Sequence, residues 1–164
     1  MARLISARTV IIAFSVALVI GAVLFFYRTH APAAAPTAPG LTTAEFGGVS
    51  LRIELATTTV AKEKGLGGRT SVPSDYGMLF VFLKDDYYGF WMKDMRVPLD
   101  LFWLDDKGQV VSIAEDVATS SYPRAFYPTS PARYVLETAA GFARTHGVAT
   151  GTPLILRGVI PVSK

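Results

Sequence analysis

Hydrophobic and polar positions divide the chain into three regimes. Residues 10–27, VIIAFSVALVIGAVLFFY, run without a charge, and residues 30–40, HAPAAAPTAPG, are almost entirely Pro and Ala. From Val49 onward the pattern changes to short apolar or alternating runs punctuated by Gly, Pro and Asp, the signature of strands and turns. Val49, Leu51, Ile53 and Leu55 alternate with Ser50, Arg52 and Glu54, which predicts a half-buried strand. Thr57, Thr58 and Thr59 offer N-caps to a short helix that runs to about Leu66 and is stopped by Gly65, Gly67 and Gly68.

The stretch from Gly77 to Gly108 predicts three successive strands, Met78 to Leu83, Tyr88 to Asp94 and Leu99 to Asp105. The short connection Met95 to Pro98 predicts an antiparallel hairpin that pairs Lys93 with Asp100 and Phe90 with Trp103. Both faces of that hairpin carry aromatics, so both are expected to be covered. Asp105 to Gly108 reads as a tight turn into a strand over Gln109 to Glu115. A long loop, Asp116 to Pro131, carries Tyr122, Phe126 and Tyr127; a loop of that length in a compact domain is functional or closely packed. Ala132 to Glu137 resumes strand character, Ala139 to His146 reads as a helix closed by Gly147, and Pro153 to Ile160 as a last strand. The expected fold is mainly β: an antiparallel sandwich or partly closed barrel with two short helices.

The uncharged N-terminal run is long enough, at ~1.5 Å per residue, to span ~27 Å as a helix, close to the thickness of the hydrocarbon layer. Arg3 and Arg8 precede it and favour a cytoplasmic N-terminus, while Arg28 on the far flank weakens that bias. The expected organisation is a cytoplasmic tail at 1–9, one transmembrane signal-anchor at 10–27, a Pro/Ala linker at 28–45 and an extracytoplasmic β-rich domain at 46–164. The bilayer, through Val10 to Tyr27, is thus the first expected partner, and the cell membrane the expected location. A cleaved signal peptide, ending near Ala31-Pro32-Ala33, is the competing reading, in which the domain is secreted.

Charge narrows the function classes. Of 16 Lys and Arg against 13 Asp and Glu, three Arg lie before Leu41, so the remainder carries 13 of each sign. A domain that is formally neutral lacks a basic footprint, and no nucleic-acid partner is expected. With no cysteine, disulfides, thiolate metal sites and a cysteine nucleophile are excluded. His30 and His146 are too few and too far apart for a zinc cluster, and no metal or cofactor is expected. The glycines at 65, 67 and 68 follow a helix and are not followed by Lys-Ser/Thr, which excludes a P-loop.

Several runs carry a family resemblance: Gly65-Leu66-x-x-Arg69, Gly77-Met78-Leu79-Phe80, Phe90-Trp91-Met92-Lys93, Pro98-Leu99-Asp100, and Ala132-Arg133-Tyr134-Val135-Leu136-Glu137 with Ala140-Gly141-Phe142. In order and spacing the chain resembles the domain of unknown function 192 family over about Val49 to Leu156. It departs at Gly67, where many relatives have Met, and at Asp94-Met95, where many have Asn-Thr. The resemblance implies a compact, jelly-roll-like β fold, often secreted or anchored, and no assigned activity.

The candidate site residues follow from the strands. Lys93 and Asp100 lie in apolar runs and are expected to face each other, either as a ligand-binding or acid/base pair or as a cross-strand ion pair that fixes register. Glu63 and Arg69 flank the Gly-rich helix end and read as a polar rim or as solvated, capping groups. Trp91 and Tyr127, with Tyr87 and Tyr88, read as a sugar-stacking platform or as core. Asp94 and Arg133 complete the candidate set. The expected function is a binding module for a small polar ligand, an envelope glycan or a protein. The alternative is a carboxylate-based hydrolase of envelope glycans using Asp100 with Glu63 or Asp94, which requires two carboxylates flanking a cleft.

Overall fold

The computed structural model describes residues 41–158; the apolar run at 10–27 and the greater part of the linker lie outside the described residues. Nine strands and two short helices follow in order: β1 Leu41–Phe46, β2 Val49–Ala56, α1 Thr59–Lys64, β3 Tyr76–Asp86, β4 Phe90–Trp91, β5 Leu99–Leu104, β6 Val110–Val117, β7 Ala125–Phe126, β8 Ala132–Ala139, α2 Phe142–His146 and β9 Ile155–Arg157. Seven strands form one mixed sheet in the order β6-β5-β8-β3-β2-β1-β9, and β4 pairs with β7 as a separate ribbon.

The sheet is neither all antiparallel nor closed into a barrel among the described residues. β2 and β3 run parallel, Arg52 opposite Tyr76 and Ala56 opposite Phe80, because α1 and the Gly65–Asp75 connection return the chain to the end at which β2 began. That is the crossover a parallel pair requires. Strand structure also begins inside the stretch expected to be linker. β1 turns back through Gly47 and Gly48, both at positive φ, to pair with β2; a Gly-Gly dipeptide supplies the two left-handed residues of a tight hairpin.

Each face of the sheet buries its own apolar layer. On one face Phe46, Leu79, Phe102, Leu104 and Leu136 pack with Phe142 of α2, Val148 and Leu154. On the other, Met78, Phe80, Leu101, Trp103 and Val135 pack with Leu66 and Met92, and the partly buried Phe90 and Phe126 bring the ribbon against this layer. β5 is therefore buried along its whole length, which is why its sequence, LDLFWL, reads apolar without alternation.

The expected hairpin between residues 88–94 and 99–105 does not form. β5 instead takes β6 and β8 as its two neighbours, and the preceding strand is cut to Phe90–Trp91, paired with Phe126 and Ala125. With both edges of β5 occupied, no edge remains for β4; a short connection brings two segments close without obliging them to pair. Phe90 and Trp103 do meet, edge to face with centroids 6.2 Å apart, but across layers. The indole N–H of Trp103 donates to the carbonyl of Tyr88 at 2.8 Å.

Asp100 is correspondingly no partner of Lys93. Its register partner is Thr138, and its side chain lies on the α2 face, fully buried. The carboxylate accepts the backbone N–H groups of Asp116 at 2.8 Å, Gly141 at 3.2 Å and Ala143 at 2.8 Å. Asp116 sits at φ +48, where the β5–β6 register shifts between Leu99 and Leu101. The bulge turns its N–H towards Asp100, and its carboxylate holds Arg144 at 2.7 Å. Lys93 is exposed.

Removing a buried acceptor strands its donors. Asp100→Ala should lower unfolding stability by ~3 kcal/mol or more in urea titrations, whereas Lys93→Ala should change it by less than ~0.5 kcal/mol. Equal effects would contradict this assignment.

Candidate functional site

The alternation of β8 creates the most unusual group in the molecule. Asp100 opposite Thr138 faces α2, so Leu101 opposite Glu137 faces the other way. Glu137 lies between Met78 of β3 and Leu101 of β5, in the layer that also holds Phe80 and Trp103. Its side chain is buried and Oε2 has no hydrogen-bond partner. Burial pushes its carboxyl from the ordinary 4.5 up to about 8, with a backbone hydrogen bond from Leu66 and the positive charge of Arg69 pulling the other way. At neutral pH the group is protonated and can donate as well as accept.

Glu137 forms the floor of a cleft of about 620 Å³. One wall is α1 and the turn after it: Thr59, Lys62, Glu63, Lys64, Gly65 and Leu66. Phe80, Phe82, Tyr88, Gly89, Phe90, Trp91, Lys93 and Met95 form the rest. α1 starts with Thr58, whose side chain caps Ala61 N–H, and ends at Gly65. Gly65 has φ +50 and ψ −139, which a side chain disfavours. A Cβ there would also lie 3.4 Å from the Phe80 ring and 3.6 Å from Glu137 Oε2, so the turn packs directly over the carboxyl.

The aromatic walls are ordered by mutual contact. Phe82 stacks on Tyr88, Phe80 meets Phe90 edge to face at 4.8 Å, and Lys62 Nζ lies 4.5 Å above the Phe82 ring. Trp91, 56% exposed, meets Tyr122 edge to face at 6.4 Å. That contact gives the long 116–131 loop a place at the mouth of the cleft.

Beside the cleft, on the other flank of Met78, Glu54 accepts from Arg69 Nη2 at 2.8 Å and from the hydroxyl of Tyr76, while Arg69 Nη1 donates to the same hydroxyl at 2.8 Å. Burial raises the Glu54 carboxyl, but the hydrogen bonds from Tyr76 and Arg69 outweigh it and hold the net value below the usual range. Burial and the contact with Glu54 push the Tyr76 hydroxyl up. Thus two acids in the same row across the sheet are set apart: Glu54 is ionised and tied down, Glu137 neutral and incompletely paired.

The residues singled out from the sequence scatter accordingly. Glu63, Trp91 and Lys93 line the cleft. Arg69 is committed to Glu54 and Tyr76. Asp94 is exposed at φ +58, and its carbonyl accepts from Gly68 N–H. Tyr127 lies over Gly89, where a Cβ would come 2.5 Å from its ring, and is itself 64% exposed. Arg133 pairs with Asp85 at 2.6 Å. Asp100 is on the opposite face, so neither pairing proposed for a hydrolase, Asp100 with Glu63 or with Asp94, is present. Tyr88, named with Trp91 as part of a stacking platform, also lines the cleft, whereas Glu137, Lys62, Lys64 and Phe82 were not singled out as site residues. The one signal for Glu137 was an acid closing an otherwise apolar strand; its burial depends on β3 and β5 flanking it.

A carboxyl whose folded value lies above its unfolded one favours folding only while protonated. Its contribution is fully present below about 4.5 and is lost as pH rises towards about 8. Glu137→Gln should therefore match the wild type in stability near pH 4 and exceed it by on the order of 4 kcal/mol at pH 8, measured by denaturant unfolding across the pH range. Equal stability throughout would show that Glu137 does not titrate in this way.

No curated protein matches the chain. A crystal structure from Sinorhizobium meliloti 1021, provisionally described as a transcription regulator, is 28% identical with TM-score 0.69, over 74% of this chain and 98% of that one. A protein of unknown function from Novosphingobium aromaticivorans DSM 12444 is also 28% identical with TM-score 0.62, over 75% of this chain and 91% of that one. The profile of the domain of unknown function 192 (DUF192) family, described as "Uncharacterized ACR", matches residues 42–156. This chain belongs to the DUF192 family.

Proposed function

We propose that the domain is a binding module whose site is the Glu137 cleft, and that it takes a small polar ring compound of the sugar type. The observation that carries this reading is the unpartnered Oε2 of a buried carboxyl at the floor of an aromatic-walled cleft. A buried polar group without a partner is costly, and a ligand hydroxyl would supply the missing hydrogen bond. Tyr88, Phe90 and Trp91 offer ring surfaces to the sugar, and the volume falls within the ~300 to 1,000 Å³ usual for small-molecule sites. The site moves from the Lys93/Asp100 surface to the opposite wall of the sheet, keeping Lys93, Glu63 and Trp91.

The uncharged run from Val10 to Tyr27, preceded by Arg3 and Arg8, supports placing this module outside the cytoplasm on a single-pass anchor, where an envelope glycan is the natural source of such a ring. No helix among the described residues is long and apolar enough to cross a membrane, so the anchoring rests on that run alone. The transcription role in the description of the Sinorhizobium protein finds no support in the balanced charge of residues 41–164.

A hydrolase reading draws on the same carboxyl, since a protonated Glu137 could serve as a general acid. Glu63 is then the other acid that lines the cleft, in place of Asp100.

Three outcomes are expected. The full chain should remain with membranes after alkaline carbonate extraction. Monosaccharides and short envelope glycans should perturb Trp91 fluorescence, and Trp91→Phe should abolish the change. The same glycans should release no new reducing ends. Release that disappears in Glu137→Gln would replace the binding reading with the hydrolase.

A further inference from the structure

We infer that the ligand of the Glu137 cleft is an anionic sugar, its ring held between the aromatic walls and its carboxylate or phosphate held by Lys62, Lys64 and Lys93. This rests on the reading of the cleft as a sugar site and adds the charge of the sugar.

The cleft gathers cations that have no ion-pair partner among the described residues. The ion pairs among the described residues engage Arg52, Arg69, Lys84, Arg133, Arg144 and Arg157, and Lys62, Lys64 and Lys93 are in none of them. All three line the cleft, from two different elements: Lys62 and Lys64 on α1, Lys93 on the turn after β4. Chain neighbours on a helix could share a solvated face by chance; convergence from two walls on one hollow is harder to attribute to solubility.

The acids nearby do not cancel this charge. Glu63 is the one other acid in the lining. Glu54, close enough to Lys64 to feel its charge, is already matched by Arg69. With Glu137 protonated, the lining carries three positive charges and one negative, so a neutral or cationic sugar would leave the excess unused. Lys62 adds a particular incentive. Its ammonium lies over the Phe82 ring, and burial lowers its affinity for its proton. An anion beside it would restore the solvation that packing removes. The cleft thus combines cations from α1 and the turn after β4, aromatic rings, and a hydrogen-bonding carboxylic acid. An acidic monosaccharide, charged at one end and hydroxylated at the other, matches that combination.

The test uses four pyranoses that differ in one substituent: glucose, glucosamine, glucuronate and glucose 6-phosphate. Each is titrated into the full chain in neutral detergent micelles at matched ionic strength, with Trp91 fluorescence as readout. Glucuronate and glucose 6-phosphate should bind at least tenfold more tightly than glucose, and glucosamine more weakly. Whichever anion binds tighter identifies carboxylate or phosphate as the recognised group. The double variant Lys62→Gln/Lys93→Gln, checked for an unchanged melting temperature, should cut the advantage of both anions over glucose at least tenfold. Anions no tighter than glucose, or an advantage undiminished in the double variant, would overturn the inference and leave the cleft as a neutral-sugar site. Failure of all four to bind would overturn both the inference and the sugar-site reading beneath it.

Discussion

The carboxyl group of Asp100 has no access to water, and a buried polar group persists only where partners surround it. Here the surround is made wholly of backbone: the N–H of the Asp116 bulge in β6 and the N–H groups of Gly141 and Ala143 at the start of α2. One side chain of β5 thereby fixes an irregularity in one neighbour, β6, and the departure of the chain from the other, β8. The aromatic contacts of Phe142 with Phe46 and Phe102 depend on α2 being docked there. Were Asp100 unsatisfied, neither the bulge nor the docking would have a reason to persist.

This arrangement bears on the cleft although it lies on the opposite face. β5 and β8 are held in register from behind, and the same register sets Glu137 between Met78 and Leu101. The sheet thus carries two buried acids on successive register pairs, with opposite chemical fates. Asp100 meets three backbone donors and serves the fold. Glu137 meets apolar neighbours, keeps a proton, and leaves one oxygen without a partner. The difference lies in which side of a pleated strand each residue occupies, and in what the chain lays over that side.

Much of the strand framework was legible because its cause is local. The alternation in Val49–Leu55, the Thr58 cap of α1, the Asp105–Gly108 turn and the Gly147 stop of α2 all depend on residues within a few positions of each other, and all are present. β1 escaped notice because only Ala44 and Phe46 of its six residues are buried, too few to show an alternation. The hairpin assigned to residues 88–105 failed for a different reason. Its residues are good strand formers, but pairing is a competition, and β6 and β8 occupied both edges of β5. Phe90 still met Trp103, since both are large apolar groups on the same side of the sheet, so the contact survived although the pairing did not.

Sequence alone determined the family, the mainly β character, the absence of cysteine chemistry and the position of most turns, since each is written in composition or in short-range spacing. It also named Glu63, beside the glycine-rich helix end, Trp91, in an aromatic platform, and Lys93, in an apolar run, among the candidate site residues. Only the tertiary structure decided that Asp100 belongs to the fold and Glu137 to the site. The two acids look alike along the chain, each in an apolar strand. What separates them is the face on which each falls and the donors awaiting it there. Those are supplied by segments up to 43 residues away, beyond the reach of any local pattern.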